Sequence, residues 1–220
     1  MTSQNAPKDL KITALFLLVV TLLSMLLVLF HPTVGADNVD EQIAEIVREA
    51  ALNQSVHGIL IICSLLFYVC CQYGLKALFG NSLLFSFSSF AFLVGSLSMC
   101  GAALVSGFIF PNTIVWLSSE STLSQDSYNL LSSFSWNSNQ ALAYTGAIGW
   151  LLGIASWSIL AGVGPVKHLL MSSTGIVLSA LNMFLFATGT IHLDVHGAII
   201  LLFSCCIWFL VVVYILWRKQ

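Results

Sequence analysis

Charge is what this sequence has least of. Only 7% of its 220 residues are Asp, Glu, Lys or Arg, while 58% are hydrophobic; an ordinary soluble domain is roughly a quarter charged. So few charges cannot cover a water-facing surface. The surplus apolar area, with a mean hydropathy of +0.96, belongs against lipid. A basic footprint is missing too: the formal net charge is −2 and the Lys and Arg residues are scattered singly, which excludes nucleic acid as a partner. No Cys-x-x-Cys spacing occurs. All six cysteines (Cys63, Cys70, Cys71, Cys100, Cys205, Cys206) sit inside apolar runs, where a thiol behaves as a small hydrophobe.

What is present is a series of long apolar segments. A helix needs about 20 apolar residues to cross a hydrocarbon core of roughly 30 Å. Six segments qualify, at about 12–30, 56–73, 83–110, 141–163, 169–191 and 197–217. They are continuous rather than alternating, which predicts helices and not barrel strands. The first follows Lys8 and Lys11 as a signal peptide would. It is too long for a secretory h-region, and no small-residue cleavage site follows His31 and Pro32, so it reads as the first span. The expected fold is an all-α integral membrane protein, one membrane domain over residues 1–220.

Orientation follows from the few basic residues. Lys8, Lys11, Lys76, Lys167, Arg218 and Lys219 fall on one side of a six-span arrangement, and Arg48 alone falls on the other. The acids segregate oppositely, with only Asp9 on the basic side. The positive-inside rule then places both termini in the cytoplasm, and the long loops outside a plasma or inner membrane. Short links on the basic side make the second and third spans, and the fourth and fifth, expected neighbours.

Two long loops remain. In the first, 31–55, Val39, Ile43, Ile46, Val47 and Ala50 recur at helical spacing after Asp37, a candidate cap. This predicts an amphipathic helix lying along the outer surface and leading into the second span. The second, 111–140, mixes serines with Trp116, Tyr128, Phe134 and Trp136. It suits a short interfacial helix or an irregular cap.

Asp, Glu, Lys and Arg are absent from the spans, which argues against cation-coupled transport, whose sites keep such groups within the bundle. Histidine is the one reactive side chain with a pattern. His192, Asp194 and His196 bracket the start of the sixth span, and His57 opens the second within the same Val-His-Gly triplet. Imidazole and carboxylate together suit zinc or copper, so His57, His192, Asp194 and His196 form the expected metal set, with His31 as an additional ligand. Haem held between His57 and His196 is a weaker version of the same idea. The even spans also open alike (His57-Gly58, Thr145-Gly146, His196-Gly197), a hint of three repeated hairpins.

Six spans, a substantial first outer loop and histidines opening the second and sixth spans resemble the layout of rhomboid proteases. The resemblance is one of layout alone. Where a Gly-x-Ser-Gly nucleophile would stand, the fourth span begins Tyr144-Thr145-Gly146-Ala147, and a threonine without a base is a weak nucleophile. The leading expectation is therefore a binding, assembly or accessory component in the bilayer, working with a membrane-protein partner or a second copy of itself. A carrier or flippase for an uncharged or lipid-like substrate comes second, and an enzyme third.

Overall fold

The computed structural model describes residues 6–32, 38–120, 124–164 and 166–219, and among them every regular element is helical. The helices are α1 (Ala6–Leu29), α2 (Val39–Phe79), α3 (Leu83–Leu104), α4 (Phe110–Ser119), α5 (Gln125–Val163), α6 (Leu169–Ala187) and α7 (Val195–Arg218). A π-helical turn, Val105–Ile109, joins α3 to α4 without a break. Counting α3 through α4 as one rod, six helices are long and apolar enough to cross a membrane, as expected of an integral membrane protein.

The rods pack in a ring that follows chain order. α1 touches α2, α2 touches α3, α3 touches α5, α5 touches α6, α6 touches α7, and α7 returns to α1. The expected pairings of the second with the third span and of the fourth with the fifth are thus present. Small residues set the contact of α3 with α5: a Cβ on Gly149 of α5 would lie 2.6 Å from Gly95 Cα and 2.8 Å from Ala91 O of α3. Backbone therefore meets backbone, an approach that only glycine permits.

Aromatic side chains fill the middle. Phe92 stacks on Trp150 with centroids 5.5 Å apart, Trp157 on Trp208 at 6.1 Å, and Phe67 on Phe209 at 4.3 Å. Two of the buried indoles have their polar atoms paired, Trp150 Nε1–H donating to Ser96 Oγ and Trp208 Nε1–H to Ser158 Oγ, each at 3.0 Å, whereas Trp157 Nε1, equally buried, meets no acceptor among the described residues. An indole N–H left unpaired in such a core would carry a desolvation cost.

Three rods overshoot the bilayer at the acidic end of the bundle. At 1.5 Å per residue the 41 residues of α2 extend about 62 Å, twice the hydrocarbon thickness. The separate surface helix expected in 31–55 is therefore replaced by a continuation of α2, because no Gly or Pro interrupts the sequence from Val39 to His57. Its cap is Asn38, whose side chain accepts from Glu41 N at 2.9 Å; Asp37, the expected cap, lies outside the described residues. The interfacial cap expected over 111–140 becomes α4 and the first part of α5.

These extensions have a small core of their own, built on Ile46, Ile114 and Tyr128 with Val39 and Ile43 against it. Tyr128 Oη donates to Gln42 Oε1 at 2.9 Å, and Gln54 Nε2 donates to Asn112 Oδ1 at 2.6 Å. Val47, expected on the buried face, is 40% exposed. Residues 39, 43, 46 and 50 form one helical stripe, and 47 falls about 100° from 46. This gives a prediction with its own control. Ile46→Ser should cost about 2 kcal/mol or more by lost burial, and Val47→Ser should stay within about 0.5 kcal/mol of wild type. Thermal unfolding in detergent checks both, and equal losses would contradict the packing.

Candidate functional site

The chemistry-bearing side chains meet where α2 passes the π turn. A proline at position 111 has no N–H to offer, and Phe110 N already bonds to Val105 O across the π turn. Ser106 O is thereby left without a partner from its own helix. Asn53 of α2 supplies it, Nδ2 donating to Ser106 O at 3.0 Å. One turn further along α2, His57 lies against Gly107, where a Cβ would collide with the imidazole's own Cβ and Cγ. The π turn, the proline and the glycine together create a recess that the buried His57 fills, in line with the tendency of π bulges to mark functional positions.

His57 does not stand alone. His31, just past the end of α1, brings its ring to 4.8 Å from the His57 ring, edge to face. The two Nε2 atoms are 3.3 Å apart. The tautomers follow from the other nitrogens. His31 Nδ1 is 2.8 Å from Pro32 O, and His57 Nδ1 is 2.9 Å from Asn53 O. A carbonyl only accepts, so both Nδ1 atoms carry hydrogen and donate, and both Nε2 atoms present lone pairs to each other. Ser106 Oγ lies 3.0 Å from His57 Nε2 and 2.9 Å from Ala102 O. Its single proton serves one of them at a time. Burial holds the His31 ring below its ordinary imidazole value, partly offset by the Pro32 carbonyl.

The pair forms part of the wall of a cavity of about 360 Å³ inside the ring of helices. Phe67 and Trp150 make its floor at mid-bundle, and His31 and Trp136 stand at the acidic end. The 14 residues from Trp136 to Trp150 on α5 set its depth at about 20 Å. Its lining is mostly apolar, interrupted by serines, Asn139 and the imidazole pair, and among the described residues it includes no Lys or Arg. Asp194 also lines it, but its Oδ1 accepts from Gly197 N at 2.9 Å and caps α7.

The expected metal set is thus divided. His57 and Asp194 face one cavity, whereas His192 and His196 are exposed and off its wall. In the ring α1 stands between α2 and α7, so the matching Val-His-Gly triplets do not bring their imidazoles to a shared helix seam. Among the described residues no group of three or more His, Cys, Asp and Glu side chains converges. The structure instead pairs His57 with His31, the residue expected only to complete the set. Ser106, Gly107 and Asn53 escape sequence reasoning altogether, although a glycine four residues before a proline within an apolar run is a readable sign of a disturbed helix. Comparisons of the chain with protein-family models, with curated proteins and with solved structures give no match.

Proposed function

We propose that this protein is a membrane-embedded binding component whose cavity holds a small, uncharged, largely apolar or lipid-like ligand. The observation that carries this reading is the cavity itself. Its volume of about 360 Å³ falls within the roughly 300–1,000 Å³ of small-molecule sites, which are likewise apolar with a few placed polar groups. The lone pairs of His31 and His57 supply acceptors for a hydroxyl or amide at the ligand's polar end. A carrier for the same ligand class is the second reading. It is favoured by a cavity whose lining runs from His31 and Trp136 at the acidic end to Phe67 and Trp150 at mid-bundle, the form one limb of alternating access would take.

Orientation belongs to the same proposal. Six of the seven basic residues mark one end of the bundle, so the termini face the cytoplasm and the cavity opens to the exterior or periplasm of a plasma or inner membrane. Reporter fusions after Lys76, Lys167 and Lys219 are expected to read cytoplasmic, and insertions at Glu45 and Asp126 external. One reversed reporter would invert the cavity's access.

The ligand test uses α7, which presents Asp194, Val195, Ala198, Leu201 and Leu202 to the cavity. Ala198 lies mid-stripe, so Ala198→Trp should fill the space. Native mass spectrometry of protein released from detergent should show a bound apolar molecule on wild type and less than a tenth of it on Ala198→Trp. Ile200→Trp, on the exposed face, should retain it. Equal retention by the two variants would sink the proposal.

A further inference from the structure

We propose that His31 and His57 form a binding site for a divalent cation of the zinc type, held between their Nε2 atoms with Ser106 Oγ beside it. The site lies in the cavity wall but does not depend on what the cavity holds.

Geometry carries the case. Two nitrogen ligands at 2.0–2.1 Å from zinc that subtend a tetrahedral angle lie about 3.3–3.4 Å apart. The observed separation is 3.3 Å. A cis pair in a square plane with bonds of about 2 Å would be near 2.8 Å apart and a linear pair near 4 Å, so the spacing selects the tetrahedral preference of zinc over the tetragonal one of Cu²⁺.

The outer contacts agree. Metal-bound imidazoles almost always donate their second N–H to a carboxylate or backbone carbonyl, which fixes the tautomer and turns the lone pair toward the ion. Both rings do so here, His31 to Pro32 O and His57 to Asn53 O. Asn53 is itself anchored to Ser106 O, so the π turn positions both the ring and the carbonyl that orients it. Two lone pairs 3.3 Å apart repel unless something electrophilic lies between them. The Ser106 hydroxyl can satisfy His57 alone, and the cavity wall offers no Lys or Arg among the described residues. A metal ion satisfies both rings at once. Its remaining positions face the cavity, where water or an oxygen of the cavity's ligand can complete a four-coordinate site as in open zinc centres.

This assignment differs from the set expected on sequence grounds, and the difference is measurable. Full-length protein in detergent, stripped with a chelator, should bind one equivalent of Zn²⁺ by calorimetric titration. Co²⁺ in its place should give the intense visible absorption of a tetrahedral complex. His31→Gln should weaken binding more than tenfold, and Ser106→Ala should weaken it less. The double variant His192→Gln/His196→Gln should bind as wild type does. His57 is buried, so His31→Gln, at a half-buried position outside any helix, decides the matter even where His57→Gln does not fold. Binding lost in the exposed double variant but kept in His31→Gln would overturn the proposal. So would the absence of stoichiometric uptake, with ¹⁵N imidazole spectra showing one proton shared between the rings. Loss of zinc with the apolar ligand retained would reject this site and leave the cavity reading standing; the reverse would do the opposite.

Discussion

Gly149→Val should leave little folded protein. The first carbon of the new side chain would sit 2.6 Å from Gly95 Cα, 2.7 Å from Gly95 N and 2.8 Å from Ala91 O, and none of these backbone atoms can rotate away as a side-chain end could. Gly95 is equally constrained from its side, since a Cβ there would lie 2.6 Å from Trp150 N. Relief requires α3 and α5 to separate. Their contact is the most extensive of any helix pair, and it seats the Phe92–Trp150 stack and the Trp150–Ser96 hydrogen bond. Overpacking a well-filled core costs about 1–3 kcal/mol where neighbours can yield. Here they cannot, and a marginally stable bundle has only about 5–15 kcal/mol in total. Gly149→Ala should therefore lower stability by a few kcal/mol, and Gly149→Val should abolish the monodisperse peak on size exclusion. Gly58→Ala is the control: its Cβ would meet only the Phe108 ring tip at 3.5 Å, an ordinary contact, and alanine's helix propensity favours it by up to about 1 kcal/mol. A Gly149→Val protein as stable as Gly58→Ala would mean that α3 and α5 do not touch as described.

The spans were legible because apolar runs measure bilayer thickness directly. Helix ends were not, because they are set by breakers and caps rather than by hydropathy. The fifth span, expected to reach residue 191, stops at Ala187, since Gly189 takes φ +65° and closes the helix; that glycine was visible in the sequence. The second span was cut at its apolar edge, although nothing between Val39 and His57 could end the helix.

The site was harder to foresee for a different reason. His57 and His196 share the triplet Val-His-Gly, yet one imidazole is buried in the cavity and the other is exposed. Local sequence sets the helix and not its rotation about its axis. Rotation is decided by where partners allow close approach, and for α2 that place is Gly107, fifty residues away on another helix. His31 joins the site through an equally remote event, the end of α1 beside the π turn. The charge segregation, by contrast, is a property of the whole chain and needs no tertiary information to read.

That remote control makes Gly107 the most consequential position in the site. Gly107→Ala would drive a methyl group into Cβ and Cγ of His57 and to 3.1 Å from its Nδ1. Because His57 Cβ is fixed to the backbone, no rotamer change relieves the collision, and α2 must move away from the π turn. Three contacts are lost with that movement: Asn53 Nδ2 to Ser106 O, Ser106 Oγ to His57 Nε2, and the His31–His57 approach. The expected result is a loss of about 1–3 kcal/mol in stability, together with zinc binding weakened more than tenfold in a protein that keeps all of its ligating side chains. Gly101→Ala, six residues earlier on the same rod, meets only the flexible end of Leu142 at 3.3 Å and should alter neither property. Thermal unfolding and calorimetric zinc titration of the two variants, side by side, separate a site that is merely composed of histidines from one that is positioned by a missing side chain. Full zinc affinity in Gly107→Ala would show that the imidazole pair does not depend on the recess.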